Sequence, residues 1–173
     1  MDPSVNVTMN AWANFLLWVY ESPVGTAIRE SATLFPWIES LHVLAITIVV
    51  GTIAIVDLRL IGYAAHRRSA NQLIDDLLPF TWVAFVAAVV TGGLLFTSNA
   101  TMYGVNKPFL AKMCVIVLAG LNMAFFHLTA HRRIKDWDQT LPPPRGVRIA
   151  GLTSLSLWIV VLFLGRWIGF TLL

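Results

Sequence analysis

The chain has 173 residues, 57% hydrophobic and only 12% charged, with a mean hydropathy of +0.73. Soluble domains carry about 25% charged residues, so the composition excludes a soluble enzyme and a disordered tail. The pI of about 9.4 reflects a net charge of only +3, too little for a nucleic-acid binder. A single cysteine, Cys114, excludes an intramolecular disulfide and a Cys-rich zinc or iron–sulfur site. The expected class is an all-α integral membrane protein.

The first 34 residues lack the basic start of a signal peptide, and their apolar run, Trp12 to Tyr20, is short. Ser22 fits an N-cap and Pro23 the first helical position. The segment reads as two amphipathic helices, at residues 11–21 and 23–31, lying on the outer membrane interface. Crossing a bilayer takes about 20 mostly apolar residues. Four runs qualify, at Phe35–Leu58, Leu77–Thr97, Phe109–Ala130 and Ile149–Leu172. The organisation is then 1–34 as interfacial helices and 35–173 as a four-helix transmembrane bundle. Asp138–Gly146, with Pro142, Pro143 and Pro144, reads as a stiff extended connector.

Arg59, Arg67 and Arg68 follow the first span; Arg132, Arg133, Lys135, Arg145 and Arg148 follow the third. Concentrating basic residues in these two loops places both in the cytoplasm and both termini outside.

Ionisable residues inside a span are costly and mark function by default. At a rise of about 1.5 Å per residue, Glu39 and Lys112 lie about 6 Å, and His42 and Arg166 about 10 Å, from the outer ends of their spans. Four polar residues on three helices thus share one level. A second level, near the cytoplasm, holds Asp57, Arg59, His127 and His131, with His66 in the adjoining loop. At about 100° per residue, Glu39 and Asp57 share a face with His42 about 60° away, and Gly120 and His127 nearly align. Asn122 falls off that stripe and reads as a hydrogen-bonding partner for a neighbouring helix.

Histidines facing into a membrane bundle are the usual ligands of b-type haem. His42 and His127 are the candidate metal ligands, and Lys112 and Arg166 the candidates to hold an anionic group. The two histidines differ by about 18 Å in depth, too far to share one iron. A quinone site asks for less: a proton-exchanging group, such as His42 with Glu39, and a cation facing a carbonyl. The leading expectation is a redox or electron-transfer protein binding haem b or a quinone. The competing classes are a carrier for a metal ion or small solute and a non-catalytic subunit. The expected partners are the lipid bilayer and a further protein or a second copy, with no nucleic acid.

The segments FPWIESLHVLAITIVVGTIAIVDLRLIG (Phe35–Gly62) and NKPFLAKMCVIVLAGLNMAFFH (Asn106–His127), with the Thr-Gly-Gly of span two, carry a resemblance. They resemble a group of small bacterial inner-membrane proteins of uncharacterised function with four spans, over about residues 30 to 172. The Leu-His of span one is also distantly similar to the membrane domain of copper-resistance protein D and to b-type cytochrome bundles. The resemblance implies a bacterial inner membrane and points to Glu39, His42, Asp57, Arg59, Lys112, Asn122 and His127. It brings no established activity, and the sequence departs from a bis-His cytochrome pattern.

The orientation is testable by fusion of a reporter active only outside the cytoplasm. Activity is expected when it follows Leu173 and none when it sits between Arg133 and Arg145; the opposite pattern contradicts the assignment.

Overall fold

A computed structural model describes residues 3–63, 69–129 and 143–171. Every regular element among them is helical, and four helices are long and apolar enough to cross a membrane. These are α3 (Leu34–Ile61), α4 (Ala70–Ser98), α6 (Lys107–Leu128) and α7 (Arg145–Thr171). Three others gather at one end of the bundle: α1 (Pro3–Tyr20), α2 (Pro23–Glu30) and α5 (Ala100–Tyr103). The chain is therefore a multi-pass membrane protein with an all-α fold. The end under α1, α2 and α5 is the capped end, and the opposite one, where α3 finishes, is the arginine end.

Local chemistry fixes the element boundaries. Ser22 Oγ accepts from Gly25 N–H (3.2 Å), Ser69 Oγ from Gln72 N–H (3.1 Å) and Asn106 Oδ1 from Phe109 N–H (3.0 Å). Each satisfies a donor that the first helical turn leaves open. Gly62, with φ +85°, ends α3 in the left-handed conformation that glycine adopts at little cost. Two starts differ from the apolar runs. α4 begins at Ala70 rather than Leu77, because the Ser69 cap nucleates a turn that carries Asp75 and Asp76 ahead of the apolar stretch. α7 begins at Arg145 rather than Ile149, so Arg145 and Gly146 belong to the helix, closed by Arg148 N–H on the Pro144 carbonyl (3.1 Å). The rest of the connector, 138–142, lies outside the described residues.

Three seams hold the bundle: α3 packs on α4 and on α7, and α6 packs on α7. Backbones approach closely where α3 crosses α7 at Gly151. A Cβ built there would lie 3.0 Å from Leu60 Cβ and 3.1 Å from the Asp57 carbonyl oxygen. Close backbone approach is how membrane helices gain dispersion contact, since lipid gives no hydrophobic drive between them. At the arginine end Leu60, Ile74, Phe126, Val147 and Ala150 form a core drawn from all four spans. Elsewhere the spans present large apolar side chains outward, such as Val83, Phe163 and Phe125, as hydrocarbon contact requires.

The capped end is joined tightly. Gly25 of α2 sits where a Cβ would come within 2.7 Å of the Thr97 carbonyl oxygen. Arg29 donates to the carbonyls of Tyr20 (2.7 Å) and Ser98 (3.1 Å), with its guanidinium 3.7 Å from the Tyr20 ring centroid. Leu16, Val19 and Ala100 are buried together beneath it. Trp12, Phe15 and Trp18 of α1 are exposed and lie in a row, the first pair stacked at 5.6 Å and the second tilted at 6.2 Å between centroids, with Trp12 Nε1 donating to the Gly104 carbonyl (3.4 Å). Such an aromatic stripe suits the headgroup level of a bilayer.

The Gly151 crossing predicts that Gly151→Val destabilises the protein by about 1–3 kcal/mol, the usual cost of overpacking. Denaturation in detergent checks it; unchanged stability would show that the seam is looser than described.

Candidate functional site

The four spans line a cavity of about 160 Å³ in the half of the bundle towards the arginine end. Its wall is mostly apolar, including Val49, Ile53, Phe85 and Trp158. Its polar members are Asp57 on α3, Thr81 on α4, Asn122 and His127 on α6, and Ser154 on α7. Each spanning helix contributes at least one.

Asp57 is the focus. It is only 4% exposed, held beside the Gly151 crossing, and the Ser154 hydroxyl is within hydrogen-bonding reach of its carboxyl group. The other oxygen, Oδ2, is buried with no hydrogen-bond partner among the described residues. Burying a carboxyl oxygen unpartnered costs several kcal/mol, and native structures rarely leave such an atom without a reason.

The neighbours of Asp57 are held in place. Asn122 Nδ2 donates to the Ala150 carbonyl on α7 (3.1 Å), the interhelical bond expected of it, although it also lines the cavity. His127 Nδ1 lies 2.9 Å from the Met123 carbonyl oxygen, so Nδ1 carries the proton of that bond, which orients the ring. Thr81 Oγ1 is 2.8 Å from Thr52 Oγ1 and ties α4 to α3. Gly120 and His127 line the same cavity, as their helical phase requires. Arg59 is buried near the end of α3 but is not a cavity residue. His66 and His131 lie outside the described residues.

Towards the capped end the four residues expected at one level do not form one group. His42 and Lys112 come together. His42 Nδ1 is 2.9 Å from Thr91 Oγ1. Its ring lies over Gly92, where a Cβ would meet His42 Cε1 at 2.9 Å. Lys112 extends along α7 at Gly165, with Nζ 3.4 Å from the position of a Cβ there, close enough to His42 for its charge to act on the imidazole. Arg166 instead is exposed, with its guanidinium 5.2 Å from the Phe170 ring centroid on its own helix. Glu39 is exposed near Tyr103 of α5. Position along a helix says nothing of which way a side chain turns.

Thr91, Ser154, Thr81 and Trp158 are site residues that the sequence left unmarked. Their only signal is a hydroxyl or indole in an apolar run. Most such hydroxyls here bond to their own helix, as Thr47 does to the Val43 carbonyl (2.8 Å).

His42 and His127 stand at opposite ends, and no cluster of three metal-binding side chains forms among the described residues. A cavity of about 150 Å³ accommodates one benzene ring, and this one is of that size.

Tyr103 ionises above the ordinary tyrosine range because burial, and then the charge of Glu39, disfavour its phenolate. Glu39→Gln is expected to lower that pKa while leaving it above about 10. An alkaline ultraviolet titration, with Tyr103→Phe to assign the signal, checks this; no change would separate Glu39 from α5.

The chain belongs to a family of unknown function, DUF6644, whose model matches residues 15–171. No curated protein and no solved structure matches it.

Proposed function

From a family description that names no activity, we propose that this membrane protein binds a lipid-soluble quinone-type ring in the Asp57 cavity. The observation that supports this best is that Asp57, whose Oδ2 is buried with no hydrogen-bond partner among the described residues, is one of the residues lining a space of one ring's volume. A protonated carboxyl donates to a ring carbonyl, and an ionised one accepts from a ring hydroxyl, so Asp57 complements both the oxidised and the reduced ring. Ser154 holds its second oxygen. His127, oriented by the Met123 carbonyl, supplies a second group able to take up or release a proton in the same cavity. The chain's own part is to bind the ring, orient it and hold a proton at its oxygen. Transfer of electrons to or from the ring falls to a redox protein partner in the same membrane, and we place that membrane, with the orientation derived from the arginines, in the inner membrane of a bacterium.

An ion carrier is a poorer match, because the wall between the polar residues is apolar on all four helices.

The test uses Trp82 and Trp158, which line the cavity. A short-chain benzoquinone is expected to quench tryptophan fluorescence saturably in the detergent-purified protein. Asp57→Leu, close to aspartate in shape, is expected to weaken this by about tenfold or more, as loss of a hydrogen bond to a buried charged or acidic group does. It is expected to leave the melting temperature unchanged or raised, because an apolar residue costs less in that place. Equal quenching in both proteins contradicts the proposal.

A further inference from the structure

The cavity is not closed on all sides. Packed seams join α4 to α3, α3 to α7 and α7 to α6, whereas α4 and α6 form no comparable seam. Contact between those two comes at their ends. Phe96 of α4 stacks on Phe109 of α6, 5.5 Å between centroids, at the capped end. Ile74 and Phe126 meet in the core of the arginine end. Between these two closures the α4 and α6 faces that line the cavity include Trp82, 47% exposed, and Met123, 39% exposed. Gly120 of α6 also lies there, and a Cβ built on it meets nothing within 4 Å. The bundle thus has a side opening between its two sealed ends, at the depth of the hydrocarbon rather than of water.

Size then decides what passes through it. Sites that enclose a whole drug-sized ligand run to about 300–1,000 Å³. At about 160 Å³ this cavity holds one ring and no more. A ligand that carries an apolar chain must leave that chain outside, and the only apolar solvent outside is lipid.

We propose that the ligand is a prenyl-type or acyl-tailed lipid which enters sideways between α4 and α6, seats its ring head at Asp57 and keeps its tail in the bilayer. This rests on the quinone-type reading of the cavity and adds the route and the tail. The tail runs past Gly120, which is the narrowest choice of residue for that path: any larger side chain there projects into the opening. Trp82 and Met123 flank it, and the flexible thioether and the broad indole adapt to a chain that slides between them. A water-soluble ring without a tail gains nothing from the opening, since its head binds equally well from either solvent.

The experiment compares two probes in lipid nanodiscs, a tailless benzoquinone and the same ring with a ten-carbon chain, both titrated as mole fraction in lipid and read by tryptophan quenching. Three proteins are used: the natural one, Gly120→Leu, and Gly51→Leu as a control. Gly51 also meets nothing within 4 Å but lies outside the cavity wall, so it tests the added side chain alone. On that scale the two probes are expected to bind the natural protein about equally, because the tail lies in lipid before and after binding. Gly120→Leu is expected to weaken the tailed probe about tenfold relative to the tailless one, and Gly51→Leu to leave both unchanged, with melting temperatures checking that all three are folded. Exclusion of the tailed probe from the natural protein while the tailless one binds overturns the side route and leaves the ring site standing. Unchanged relative binding of the tailed probe to Gly120→Leu also overturns the route. Failure of both probes to quench the natural protein overturns the ring site itself.

Discussion

A carboxyl group held inside an apolar helix bundle is the constraint on which the rest of this structure depends. Asp57 is 4% exposed in a span whose other residues are almost all apolar. Nothing in helix packing demands a carboxylate there, and leucine would fill the space at lower cost. The fold nevertheless arranges itself around it. Gly151 lets α7 come close enough for Ser154 to reach one oxygen, Asn122 binds α6 to α7 beside it, and the remaining oxygen is buried without a partner among the described residues, in a side chain that lines a cavity. Two neighbouring helices therefore serve one side chain of α3, which is the pattern of a site rather than of a bundle's core.

The two ends of the bundle are built differently from its middle. At the capped end, Gly25, Gly104 and Arg29 lock the N-terminal helices onto α4 and α5 by contacts too close for larger residues. At the arginine end a core drawn from all four spans closes the bundle. Between them, the α4–α6 side is left without a seam. Rigid ends and an unsealed flank allow a cavity to persist without collapse, because the helices around it are pinned above and below. The His42–Thr91 pair belongs to the pinned region, where Gly92 leaves just enough room for the imidazole.

The spans were legible in the sequence because hydropathy over 20 residues is a property of composition, indifferent to neighbours. Their starts at Ala70 and Arg145 were not, since capping chemistry carries polar residues into a helix that hydropathy excludes. The level of Asp57 and His127, and the alignment of His127 with Gly120, followed from helical rise and phase. Their company did not. Ser154 is distant in sequence from Asp57, and a serine in an apolar helix usually satisfies itself on its own backbone. Arg166 and Glu39 show the opposite error. Depth placed them beside His42, but near a helix end a long charged side chain turns outward at little cost, and Arg166 lies over Phe170 instead.

The central claim is that Asp57 touches a ligand's polar atom. Infrared difference spectroscopy of the purified protein, recorded with and without a ring ligand, reads that contact directly through the carboxyl stretch. A carboxyl band that changes on binding and vanishes from the difference spectrum of Asp57→Asn is the predicted result. Saturable binding that leaves the carboxyl region unchanged would contradict the account, because the ligand would then sit elsewhere and the buried oxygen of Asp57 would remain without a purpose.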